Sequence, residues 1–67
     1  MNIADKIAIL DLKINFYKDR LLESQNAVTF LATLNNQEKI DMNQKDILNY
    51  SNIIKAFENE RSLLTIQ

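Results

Sequence analysis

The side chains of this sequence that could carry out acid–base chemistry are nine carboxylates, because the chain contains no His and no Cys. They are Asp5, Asp11, Asp19, Glu23, Glu38, Asp41, Asp46, Glu58 and Glu60. None occupies an apolar position of the sequence pattern, where burial could adapt a carboxyl group to catalysis. Cysteine nucleophiles and glycine-rich phosphate loops are excluded too, since the chain also lacks Gly. We therefore expect no enzymatic activity and no catalytic residue.

Metal and cofactor sites are not expected either. The usual zinc ligands and the Glu-x-x-His pairs of di-iron bundles need residue types that the chain does not have. Sixty-seven residues without a disulfide or a metal form one small domain, residues 1–67, which normally needs regular helix packing or association for stability. With no Cys, no apolar run long enough to span a membrane and no recognisable signal peptide, we expect a cytoplasmic protein.

Three basic residues form the one regular charge pattern. Lys6, Lys13 and Arg20 are seven residues apart and would line one edge of a helix, where flanking charges ordinarily set partner choice. In size and layout the chain resembles the two-helix plasmid copy-number regulators, which dimerise and bind paired RNA loops through basic and aromatic residues. The resemblance implies a dimeric RNA-binding hairpin as an alternative. Nucleic acid is not the expected partner, because Asp5, Asp11 and Asp19 lie beside the basic residues and the net charge is −1.

The fold class follows from the absence of Gly and Pro. The stretch "ILDLKINFY" at 9–17 alternates apolar and polar residues as a strand does, but a small β protein needs several tight turns. Only Asn35-Asn36 offers a plausible hairpin pair. Two helices joined by one polar loop need no Gly at all, so the sequence predicts an all-α protein.

Apolar residues spaced alternately by four and three predict a first helix over about 3–34. This seam consists of Ile3, Ile7, Leu10, Ile14, Tyr17, Leu21, Ser24, Val28, Leu31 and Asn35. In this heptad frame Ile7 and Ile14 occupy position a, and the three basic residues occupy position g. The segment 23–28 is the weakest part, and Asn26 could cap a fresh helix. A kinked or broken first helix is therefore the alternative.

A polar connector over about 35–43 and a shorter second helix over about 44–65 complete the predicted antiparallel helical hairpin. Asn43 is the expected cap of the second helix. Its seam is Ile47, Tyr50, Ile54, Phe57, Arg61 and Leu64, and Ile53 widens that face.

The predicted lengths, roughly 48 Å and 33 Å, leave the first ten or so residues without a partner in the chain. Apolar residues of this segment, and others away from the seam, would then be exposed and are the candidate partner-binding residues. They are Ile3, Ile7, Ile9, Leu12, Phe16 and Phe30.

We therefore expect a non-enzymatic protein that acts through protein–protein association, as a homo-oligomeric adaptor or inhibitor of bacterial or phage type. A dimer or a higher helical bundle of the same chain would cover the apolar surface. A heterologous protein partner is the other possibility. In length and layout the chain also resembles the small hairpin chaperones of needle subunits. That resemblance implies a secretion-type chaperone that masks a client helix.

Overall fold

The structure is a computed structural model that describes residues 1–66. It contains two helices, α1 (Ile3–Thr33) and α2 (Gln37–Thr65), and no strand within the described range. The helices lie side by side in opposite directions and form a rod of 49 × 14 × 14 Å. The prediction of an all-α helical hairpin is confirmed.

Helix α1 begins where an asparagine caps it and continues without a break. The Oδ1 atom of Asn2 accepts a hydrogen bond from the backbone N–H of Asp5 at 2.8 Å, and the backbone of Asn2 is extended. The helix passes through residues 23–28 intact. The alternative of a break before Ala27 is therefore wrong, since neither Pro nor Gly is present to force one.

Helix α2 begins seven residues earlier than the sequence predicts, at Gln37. Asn36, not Asn43, is its cap, and the Asn36 side chain accepts from the backbone N–H of Lys39 at 3.3 Å. The side chain of Asn43 instead donates to the Lys39 carbonyl at 2.9 Å, one turn back within the helix. Ile40 is buried and extends the seam by one heptad. The predicted connector over 35–43 is too long, because residues 37–43 form the first two turns of α2 and only Asn35 and Asn36 of this segment lie in the turn.

Two asparagines form the turn between the helices. Asn35 has a φ of 54°, a left-handed conformation that Asn adopts more readily than most residues. Its N–H donates to the Ala32 carbonyl, and the N–H of Asn36 donates to the Leu31 carbonyl, both at 3.3 Å. These are the two bonds of a Schellman motif. Asn35 thus ends α1, and Asn36 completes the motif while capping α2.

The seam predicted from the heptads is the interior of the hairpin. Its most buried apolar residues are Leu10, Ile14, Ile40 and Ile54, and Ser24 is also buried. Most other seam residues are half-buried, and Ile3 at the end of the seam is exposed. Among the described residues no large side chain is completely enclosed. Two helices shield one line of side chains from only two directions, so this core is shallow.

Candidate functional site

The two long sides of the hairpin differ in chemistry. In an antiparallel pair the e positions of both helices share one side and the g positions share the other. On the e side, Arg61 Nε lies 2.6 Å from Asp11 Oδ1, and Lys18 Nζ lies 3.6 Å from Glu58 Oε1. We call this side the closed face. Its two ion pairs link the helices and leave it polar.

The opposite side, which we call the open face, carries the g positions of both helices. Two neighbouring grooves run along it and share Lys13. One is lined by Met1, Lys6, Ile9, Leu10, Lys13, Glu60 and Leu64. The other is lined by Leu12, Lys13, Phe16, Tyr17 and Phe57, and its surface is mainly apolar. Within the described residues no ion pair joins the two helices on this side.

An aromatic cluster connects the interior to the open face. Tyr17 lies at its centre, with its ring centroid 6.0 Å from that of Tyr50 and 5.9 Å from that of Phe57, both on α2. Phe16 contacts Tyr17 edge-on at 5.2 Å and is itself 52% exposed. The seam and the surface are therefore parts of one packed unit, and the exposed ring has a fixed support.

Cations lie against this cluster. Lys13 Nζ is 5.6 Å from the centroid of Phe57, and the Arg20 guanidinium carbon is 5.2 Å from that of Phe16. Arg20 also pairs with Glu23 at 3.3 Å. Each charged group lies over the face of a ring, within the range at which a cation is attracted to an aromatic side chain. The basic residues predicted to line one helix edge thus form the rim of an apolar surface.

The six candidate partner-binding residues occupy different environments. Leu12 and Phe30 are the most exposed, at 71% and 64%, while Ile9 and Phe16 border the grooves. Ile7 is half-buried in the seam and Ile3 is exposed beyond it. The structure thus groups Ile9, Leu12 and Phe16 on or beside one groove system. Their binding of a partner stays a prediction.

The premise that the first ten residues have no partner in the chain is wrong. Helix α2 has 29 residues against 31 in α1, so it is not the markedly shorter helix that was predicted. It reaches the start of α1, where Leu64 and Leu10 line one groove and Leu10 is buried. What remains exposed is a long side of the hairpin rather than its end.

The contribution of α2 to the open face was missed by the sequence analysis. Residues in its g and c positions recur at spacings of four and three, as the seam residues do. They are Lys39, Met42, Asp46, Asn49, Ile53, Ala56, Glu60 and Leu63. The second heptad stripe is a signal that could have identified this surface.

The hairpin exposes more surface than a compact monomer of its mass. Its accessible surface is 5097 Å² at 7.8 kDa. A folded monomer of that mass is expected to expose about 4,400 Å², so the excess is roughly 700 Å². In a standard protein–protein interface, each partner buries about 800 Å² of accessible surface. The excess is therefore of the size that one binding face requires.

In the part of the chain that the structure describes, no three His, Cys, Asp or Glu side chains cluster as a metal site would need. Neither described helix has an apolar stretch long enough to cross a membrane. Comparison with protein-family models, curated proteins and solved structures finds no match for this chain.

Proposed function

We propose that this protein acts without catalysis, by protein–protein association through its open face, and that the occupant of that face is a second copy of the chain. It would serve as a homo-oligomeric adaptor or inhibitor in the cytoplasm. The observation that carries the proposal is the apolar groove between Leu12, Phe16 and Phe57, which the fold leaves uncovered.

The energetics favour covering this surface. Burying a fully exposed large apolar side chain contributes about 1.5–3 kcal/mol, and Leu12 and Phe16 are 71% and 52% exposed, so covering both would contribute roughly 2–4 kcal/mol. Both chains of a symmetric dimer contribute this amount, and the sum opposes the cost of association. The shallow core gives a second reason, because two stacked hairpins would enclose the seam from a third direction as a four-helix bundle.

A second copy suits the face in length and composition. Two hairpins of 49 Å can cover each other along the full groove system. A homodimer also uses one surface twice, so the apolar residues of both copies are covered by a single contact. In such a dimer the closed face, with its two ion pairs, stays in solvent.

The test is the mass of the protein in solution at low micromolar concentration. Wild type is expected to sediment as a dimer or a larger defined oligomer. Leu12→Lys with Phe16→Lys is expected to sediment as a smaller species. Circular dichroism at the same concentration shows whether helicity is kept.

A matched control tests whether two added lysines alone change the oligomer. Leu22 and Leu48 are 56% and 61% exposed and lie outside both grooves. Leu22→Lys with Leu48→Lys should leave the oligomer unchanged. A wild type that is monomeric at every concentration would refute self-association and would favour the alternative of a chaperone that masks a client helix.

A further inference from the structure

We infer that two copies pack open face against open face with their turns at the same end, so that α1 of each lies antiparallel on α2 of the other. This inference rests on the proposed function, and it specifies how the two copies recognise each other. It is carried by a difference in charge between the two halves of the open face.

The α1 half of the open face is basic. Its g and c positions carry Lys6, Ile9, Lys13, Phe16, Arg20, Glu23, Ala27 and Phe30. Three of the four charged residues are cations, and Glu23 is already paired with Arg20. Lys6 and Lys13 line the groove without an ion pair to α2. A surface packed on this half should therefore carry carboxylates.

The α2 half is acidic. Its g and c positions carry two carboxylates, Asp46 and Glu60, and one cation, Lys39, which lies in the first turn of α2. Glu60 lines the same groove as Lys6 and Lys13, which places this stripe on the open face. Ile53, one heptad from each carboxylate, is half-buried at its centre. The carboxylates of the α2 half thus complement the cations of the α1 half.

Only two two-fold arrangements bring open face to open face. A two-fold axis along the rod keeps the turns together and puts α1 on α2 of the partner. An axis across the rod puts the turns at opposite ends and stacks α1 on α1 and α2 on α2. The second arrangement places the basic halves together and the acidic halves together, and like charges in an interface disfavour association.

The distances of these residues from the turn, measured along the rod, agree with the arrangement in which the turns lie at the same end. At 1.5 Å per residue, Lys13 lies about 33 Å from the turn and Glu60 about 37 Å. Phe16 and Ile53 lie at about 28 Å and 26 Å. With the turns together, Lys13 therefore meets the partner's Glu60, and Phe16 meets the partner's Ile53. With the turns at opposite ends, a residue near the middle of the 49 Å rod would face its own copy on the partner. Arg20 lies about 22 Å from the turn, so the two Arg20 side chains would meet near the two-fold axis.

A spin-label distance tests the arrangement, and the cysteine-free chain allows one label per copy. Gln37→Cys places the label beside the turn on an exposed residue. Packed helices are about 8–10 Å apart, so labels at the same end should lie within about 30 Å of each other. Turns at opposite ends would separate the labels by close to the 49 Å length of the rod.

Charge exchange gives a second readout. Lys13→Glu and Glu60→Lys should each weaken dimerisation several-fold, and the two substitutions in one chain should restore it. Lys55→Glu is the control, since Lys55 is exposed and lies outside the grooves.

The outcomes separate this inference from the proposed function. A dimer with a long label distance, or a double variant as weak as the singles, would overturn the inference and leave self-association in place. A monomeric wild type would overturn both.

Discussion

Tyr17 of α1 and Phe57 of α2 pack with their ring centroids 5.9 Å apart, and the edge of Phe16 contacts Tyr17 from the solvent side. The most aromatic part of the interior therefore continues onto the surface. Phe16 thus packs against a half-buried ring before any partner arrives, which restricts the rotamers open to it. Such preorganisation lowers the entropy lost on binding.

The seam should not tolerate charge. Ile14→Asp and Ile54→Asp each place a carboxylate at a buried position without a partner, at a cost of several kcal/mol. A small domain has a free energy of unfolding of about 5 kcal/mol, so both variants should be largely unfolded. Thermal melts followed by circular dichroism measure this. A variant as helical and as heat-resistant as wild type would show that its position is not part of the core.

The start of α2 can be tested by removing each possible cap. Asn36→Ala should lower the free energy of unfolding by about 1 kcal/mol, because Asn36 accepts the bond from Lys39 N–H. Asn43→Ala should cost less, since Asn43 lies inside the helix. Urea titrations of both variants make the comparison. The reverse order would favour a helix that starts near residue 44.

The left-handed turn residue gives an independent test. Asn35→Val should destabilise the hairpin by about 1–2 kcal/mol, because a β-branched residue strongly disfavours a φ of 54°. Asn35→Gly should be neutral or slightly stabilising, as Gly adopts this conformation without steric cost. Equal stability of the two variants would contradict the Schellman turn.

The ion pair between Asp11 and Arg61 should contribute little. Both side chains are close to half exposed, and pairs of this kind couple by about 0.2–1 kcal/mol. A double-mutant cycle with Asp11→Ala and Arg61→Ala measures the coupling, which should fall as salt is added. A coupling above about 2 kcal/mol, unchanged at high salt, would show that the pair is more shielded from solvent.

The helical seam could be predicted because heptad spacing depends only on residue type and position. The start of α2 could not, because Asn36 and Asn43 both have side chains that can cap a helix. Sequence alone does not decide which of the two lies at the end of a turn. The choice in the structure is consistent with Ile40, since a helix that begins at Gln37 brings this residue into the core.

The open face was only partly predictable. Ile9, Leu12 and Phe16 could be identified as exposed because they lie off the seam. Their grouping with Phe57 depends on the side on which α2 packs, and the packing of Lys13 on that ring depends on a side-chain conformation. The wrong start of α2 also predicted that the end of α1 would have no partner in the chain.

The Asn35-Asn36 turn sets the order in which the hairpin can form. Near the turn, Leu31 and Asn36 are separated by only five residues, whereas Asp11 and Arg61 are fifty apart. Closing a short loop costs less entropy than closing a long one, so helix pairing should spread from the turn toward the chain ends. Amide hydrogens at the far end should then exchange with solvent first. Because Ile9, Lys13 and Phe16 lie in that half, a partner bound to the open face would slow its exchange most.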